Sequence, residues 1–554
     1  MSTAQQQSVE ATAPDPAASL DVHLEKHTEH LHGLKLVAVI ASLSFVAFLL
    51  LLDVSVVSTA TPRITSDFHA LDDVGWYGAA YLLGTCTLQP LTGKIYGQFD
   101  MKWTFLIFVA IFELGSVICG AATSSDMLII GRAIAGLGGS GILNGGYSLI
   151  HASAPLPKQP FYLGIIMGVA QLGILSGPLV GGAFTEYVSW RWCFYINLPC
   201  GAVAAVVFFV TSIPNIHPKG NSTFLEKLRK LDLTGFVLFA PSAIMFILAL
   251  EWGGNQYAWS SATIIGLFCG AFGMIVIFVA WEHRMGKEAM IPLSILKRRV
   301  IWSTTIHFGF FVGSMLTATY YLPLYFQTVK GASPLMSGVD LLPSIISQVI
   351  FTIIAGALMP RIGYYLPVAV LATMLATIGM GLTTTFTPTT GIGAWIGYQI
   401  IMGAGRGLGF QIPIIAVQNN SPKEEVSIVN ALVVFAQNLG PAIFLSLDEI
   451  IFTNGLEHYL PIYAPGISPE FVVTAGATGI REAVSAAALP GVLEAYTKSI
   501  DHVLYLGTGA AGAAFIFAFG MGWVDIRKNR AERERVVGLN DEKEQTSLSD
   551  PEMA

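Results

Sequence analysis

The chain is short of charge. Only 12% of its 554 residues are Asp, Glu, Lys or Arg, while 53% are hydrophobic. A soluble globular chain carries about 25% charged residues, and half that share cannot solvate the surface of several soluble domains. Acidic and basic residues nearly balance, at 36 against 29, so no basic excess points to nucleic acid. Cysteine is scarce. Cys86, Cys119, Cys193, Cys200 and Cys269 are odd in number, fall in or beside apolar runs and have no metal-ligand spacing. They read as small apolar packing residues, and no metal or cofactor is expected. A GxxxxGK[ST] phosphate loop is missing, which argues against an ATP-driven pump. Residues 1–34 lack the apolar core of a signal peptide and read as a disordered cytosolic tail.

What the chain does have is fourteen apolar runs, at 36–60, 75–96, 103–122, 127–149, 161–184, 192–213, 232–251, 261–281, 301–325, 336–358, 365–384, 393–417, 427–452 and 501–523. Each approaches the roughly 20 residues needed to cross a bilayer as a helix. The expectation is an all-α polytopic membrane protein with 14 transmembrane helices. If the runs cross alternately, 22 of the 29 Lys and Arg lie on the side of both termini. Arg63, Arg191, Lys330, Arg481 and Lys498 lie opposite, and Arg132 and Arg406 fall inside runs. Basic loops stay in the cytosol, so both termini are expected there. KRR (297–299) reads as part of this topology signal.

The chain also echoes itself. GRAIAGLG (131–138) and YQIIMGAG (398–405) are 267 apart, QLG (171–173) and QNLG (437–440) start 266 apart, and GKIYGQFD (93–100) and GALMPRIG (356–363) are 263 apart. A parallel repeat of two pseudo-symmetric six-helix halves, with two helices inserted between them (6+2+6), explains all three. The expected organisation is a cytosolic tail (1–34), a first half (35–213), an inserted pair with cytosolic loops (214–300), a second half (301–523) and a cytosolic tail (524–554). The second half includes a long external loop (453–500) with one or two short interfacial helices.

Inside this apolar matrix, ionised side chains are costly and are tolerated where they face a bundle interior or a watery cavity. Asp53 lies in FVAFLLLLDVSVVSTATP and Arg132 in LIIGRAIAGLGGSG. At about 1.5 Å per residue the two reach a similar depth from opposite directions. A protonatable carboxylate near a fixed cation can exchange a proton for a substrate's charge or hydrogen bonds. The alternative is a structural pair tying the first run to the fourth. GILSGPLVGG (173–182) sets Gly173, Gly177 and Gly181 on one stripe, where another helix can approach closely, and Pro178 can kink the helix. The expected role is close packing, a rocking hinge, or both. Gly93, Lys94 and Lys102, in GKIYGQFDMKW (93–103), are expected in a cytosolic loop that sets topology or gates. Gln171, Arg406 and Gln437 are candidates to line a substrate cavity, or else to serve as polar glue between helices. His307 reads as a packing histidine, and Asp448 and Glu449 as residues near the outer end of their run.

LLDVSVVSTATPRI (51–64), GKIYGQFDMKW, GRAIAGLGGSG (131–141), GILSGPLVGG, VSWRWCFYINLP (188–199) and GRGLGFQIP (405–413) together resemble the fourteen-helix drug:proton antiporter branch of the major facilitator superfamily. The likeness is greatest to fungal efflux pumps of toxin and secondary-metabolite pathways. That resemblance implies the major facilitator fold and export of small, largely apolar molecules in exchange for protons. It also implies Asp53 and Arg132 as proton-coupling residues, and Gly173, Gly177, Pro178, Gly181 and Gly182 as the antiporter motif. Gly97 stands where the wider superfamily carries an acid. The expected partners are a small-molecule substrate, protons and the lipid bilayer, with no nucleic acid. The chain is expected to act as a monomer in the plasma membrane, or alternatively in the vacuolar membrane. The rival readings are a proton-coupled uptake carrier for an iron chelate or nutrient and, in a different class, a non-transporting membrane receptor.

Overall fold

The computed structural model describes residues 31–527 other than 32, 70–72, 156–157, 212–222, 255, 470, 473–479 and 482. The expected tails at 1–34 and 524–554 therefore lie almost wholly outside the described residues. So does the middle of the expected external loop. Among the described residues the fold is helical, with no strand beyond isolated bridges.

The long helices are α1 (Leu34–Phe68), α2 (Val74–Gln98), α3 (Met101–Gly120), α4 (Ser125–Ser153), α5 (Gln159–Tyr187), α6 (Asn197–Val210), α7 (Leu233–Trp252), α8 (Ala262–Met285), α9 (Arg299–Thr328), α10 (Leu342–Ile362), α11 (Tyr365–Thr383), α12 (Ile392–Gly409), α13 (Val426–Tyr463) and α14 (Leu489–Ala518). Twelve helical stretches are long and apolar enough to cross a membrane. A turn at Trp192–Tyr195 leads into α6, and a short helix, Ile412–Asn419, continues α12 beyond a break before Pro413.

Two boundaries differ from the sequence expectation. Gly93 and Lys94 belong to the last turns of α2, and only Phe99 and Asp100 separate α2 from α3. The expected external loop 453–500 is partly helix, because α13 runs on to Tyr463 and α14 begins at Leu489. Glu457, His458, Glu494 and Lys498 depress the hydropathy there. Leu456, Leu460, Val492, Ala495 and Tyr496 keep a buried helical stripe through it.

Apolar helices in lipid gain nothing from the hydrophobic effect by meeting each other, so contact rests on close packing of small residues. Glycine supplies it here. A Cβ at Gly173 of α5 would collide with the Phe48 carbonyl of α1, and one at Gly440 of α13 with the Gly309 carbonyl of α9. Gly136 of α4 closes on the Tyr81 carbonyl of α2 as Gly403 of α12 does on the Ser344 carbonyl of α10. Gly115 of α3 meets Ala135 of α4 as Gly379 of α11 meets Met402 of α12. The approaches within α1–α5 thus recur within α9–α13.

The two sets touch near the ends of α2, α5, α10 and α13 on the side of the chain termini. A Cβ at Gly93 would lie 2.8 Å from Ile428 Cα, and one at Gly356 2.7 Å from the Pro160 carbonyl. Ser148 and Ser427 hydroxyls pair at 3.3 Å. Helix α7 packs on α8, α2 and α13, with Phe239 against Phe435 and Trp252 against Trp76. At its start, Asp232 accepts from Gly235 N, Trp281 Nε1 and Met290 N, which folds the chain after α8 back over the terminal face.

Gly173→Val and Gly440→Val should each destabilise the protein by about 1–3 kcal/mol through overpacking. Gly182→Ala should change stability by no more than about 0.5 kcal/mol, since a Cβ there meets nothing within 4 Å. Thermal unfolding of the purified variants checks both expectations.

Candidate functional site

Five helices converge on one carboxylate. Asp53 of α1 and Arg132 of α4 are 1% and 2% exposed, and Arg132 Nη1 lies 2.5 Å from Asp53 Oδ2. Arg132 Nε donates to the Tyr77 carbonyl of α2 at 2.9 Å, and its guanidinium stacks 4.6 Å from the Tyr81 ring centre. Asn197, the first residue of α6, donates through Nδ2 to Asp53 Oδ1 at 2.9 Å and lies 3.1 Å from Ser116 Oγ of α3. Both carboxylate oxygens are therefore engaged, one by a cation and one by a neutral amide. Burying an ion is offset only when its partners are well placed, and this geometry supplies that. Glu113 of α3, one turn from Ser116, stands against Gly201 of α6 within electrostatic reach of Asp53, and among the described residues its Oε2 has no hydrogen-bond partner.

Local sequence explains the placement. Gly173 and Gly177 bring α5 onto the Phe48, Leu52 and Ser55 side of α1. Asp53 lies roughly a third of a turn away from that seam at 100° per residue, so it faces α4 and α6. Gly181 extends the seam to Val56 and Thr59, and Ser55 Oγ donates to the Ile174 carbonyl at 2.8 Å. Gly182 faces away from it. Pro178 lies within α5, and its side chain is outside the described residues.

The remaining sequence candidates do not join this site. Gln171 and Arg406 are buried at 7% and 6% exposure, while Gln437 is half-buried. Among the described residues no hydrogen bond links the three, and Arg406 Nη2 and Gln437 Oε1 have no partner. Arg406 sits among Gly403 and Gly407, which close on α10, and Gly405, which closes on α11. Gln171 and Gln437 do not occupy equivalent positions. The contacts pair Gly173 with Gly440, so the residue matching Gln171 is Asn438. One extra residue in QNLG produces the shift.

Lys94 Nζ donates to the Glu288 carbonyl at 3.2 Å. Lys102 Nζ donates to the Phe209 and Thr211 carbonyls at 2.8 and 2.9 Å, which satisfies the end of α6. Gly93 admits the α13 backbone. These three hold neighbouring segments together rather than forming a loop. His307 packs α9 on α14, with Nδ1 2.8 Å from the Ala514 carbonyl.

Sequence reasoning passes over Asn197, Ser116, Tyr77 and Tyr81. The available signals for Asn197 were an amide opening a greasy run, INLPCGAV (196–203), and its place in VSWRWCFYINLP (188–199).

Arg132→Met should cost about 3–5 kcal/mol, because it strands a buried carboxylate. Asp53→Asn, which leaves the Arg132 cation buried without a counter-ion, should likewise cost about 3–5 kcal/mol. The double variant should lose less than the sum of the two. A double-mutant cycle on thermal unfolding measures all three.

The comparisons with known proteins agree with this architecture. The family model described as Major Facilitator Superfamily matches residues 43–445. The chain is 53% identical over 538 residues to the MFS-type transporter pigP of Monascus ruber, covering 94% of each chain. It is 50% identical to the efflux pump mlcE of Penicillium citrinum, covering 91% of this chain and 93% of that one. It is 41% identical to the efflux pump aflT of Aspergillus parasiticus, covering 91% and 98%. Among solved structures, a double-Trp variant of XylE superposes with a TM-score of 0.58 at 13% identity, covering 90% of this chain and 98% of that one. The human organic anion transporter MFSD10 superposes with a TM-score of 0.54, also at 13% identity, covering 89% and 100%. At that identity the structures speak for the fold alone. A helical bundle with repeated glycine seams, a buried Asp–Arg pair at its heart and relatives alike over nearly the whole chain place this protein in the major facilitator superfamily, a family of membrane transporters.

Proposed function

We propose that this chain is a proton-coupled exporter working by alternating access, which carries small, largely apolar molecules such as secondary metabolites out of the cell in exchange for protons. The observation that carries the reading is the wholly buried Asp53, held between Arg132 and Asn197 where five helices meet. A carboxylate so placed changes its bonding to α4 and α6 when it takes up a proton. The names of relatives such as mlcE and aflT, both efflux pumps, favour the outward direction.

In this reading all fourteen helices cross the membrane in a 6+2+6 order, and α1–α6 and α9–α14 are the rocking halves. The excess of Lys and Arg beside the termini puts both ends in the cytosol. The contacts of Gly93 with Ile428 and of Gly356 with Pro160 then close the cytosolic side. Asp53 takes its proton from outside, Arg132 tunes it, and Gln171, Arg406 and Gln437 face the substrate path. The protein acts as a monomer in the plasma membrane.

Purified protein in vesicles of known orientation tests this. An imposed proton gradient should drive substrate in the export direction. Asp53→Asn should abolish gradient-driven transport while the protein is still made and inserted. Wild-type transport in that variant would overturn the coupling, and uptake by the wild type would overturn the direction.

A further inference from the structure

A second carboxylate is buried as deeply as Asp53, with far less to hold it. Asp448 of α13 is 0% exposed. Among the described residues its one hydrogen-bond partner is Thr317 of α9, whose Oγ1 donates to Oδ2 at 2.7 Å, and Oδ1 is buried without a partner. Among the described residues no cation forms an ion pair with it.

The repeat shows how unusual the position is. Gly173 and Gly440 make equivalent contacts with Phe48 and Gly309, which sets offsets of 267 for α5 onto α13 and 261 for α1 onto α9. At these offsets Asp448 stands where Gly181 stands in the first set, and Thr317 where Val56 stands. Gly181 does contact Val56, so the pairing is geometric as well as numerical. The second set thus carries a carboxylate in the middle of its α9–α13 seam, one helical turn from the level of Asp53.

Among the described residues, no group facing it brings a positive charge. From α9 comes the phenol of Tyr321, and from α13 itself the neighbouring Glu449, with Glu251 of α7 close to that residue. From α14, Gly507 abuts Thr317. The Lys498–Asp501 pair, at 3.9 Å, is centred roughly 10 Å or more along that helix. Helices α2 and α4 meet α13 near its other end, at Ile428 and Ser427. A bare carboxylate in such surroundings neutralises rather than staying charged.

We propose that Asp448 is a second proton-binding site, loaded by water from the face opposite the termini. This deepens the antiport reading and rests on it. The proton sits on Oδ1, the oxygen that lacks a partner, while Oδ2 keeps the Thr317 hydrogen bond. It leaves from Oδ1 to water when the two sets part at the terminal face. Each set then carries one proton-binding carboxylate, at Asp53 and Asp448.

Difference infrared spectroscopy after a pH jump, on the full chain in lipid nanodiscs without substrate, tests the site independently of transport. The wild type should show the carbonyl stretch of a protonated carboxyl in dry surroundings. One component of the band should vanish in Asp448→Asn, shift in Thr317→Val and persist in Asp53→Asn. Should Asp448→Asn fail to fold, Asp448→Glu must keep a displaced component and Thr317→Val must move it. A spectrum that Asp448→Asn leaves unchanged, that ignores Thr317→Val, or that lacks the band in the wild type overturns the proposal. Loss of proton-driven transport with the band intact would instead count against the antiport reading.

Discussion

Helices that share a solvent with their neighbours can be held only by contact, and in this protein contact means backbone against backbone. Glycines at 173, 136, 115, 403, 379 and 440 each remove the atom that would keep two helices apart. The same economy serves both sets, so the repeat survives in the contacts even where the side chains have diverged. Everything polar in the interior is placed by these seams. Asp53 faces Arg132 because α5 has claimed the other side of α1.

The Asp53–Arg132 pair shows how charge is carried inside such a scaffold. The guanidinium spends one nitrogen on Asp53, another on the Tyr77 carbonyl and its face on Tyr81. Asn197 completes the carboxylate without adding charge. The second set solves the matching problem differently. At the position of Arg132 it carries Gln399, which donates to the Asp340 carbonyl. Its guanidinium, Arg406, lies two turns further along α12 with one nitrogen unpartnered. The two sets are alike in packing and unlike in chemistry.

Much of this was legible in the residues. Depth arithmetic put Asp53 and Arg132 at one level, and they are bonded. The stripe of Gly173, Gly177 and Gly181 announced a close helix, and α1 lies there. What escaped the sequence did so for identifiable reasons. Asn197 is a neutral amide, and nothing in its spacing separates a ligand of Asp53 from ordinary interhelical glue. The one-residue insertion in QNLG moves Gln437 off the place of Gln171, and only the glycine contacts expose the shift. Lys94 and Lys102 looked like loop charges because a basic residue near a run's end usually is one. Asp448 read as a residue near the membrane surface because hydropathy cannot see that α13 continues to Tyr463.

The closure between the two sets at the terminal face is built from Gly93 on Ile428, Gly356 on Pro160, Gly164 on Thr352 and one serine pair. None of these is an ion pair, and the nearby Arg298–Glu425 bridge stays within the second set. Parting these particular contacts separates no charges, so ionic strength has little purchase on them. What opposes their opening is the exchange of carbonyl and hydroxyl contacts for water.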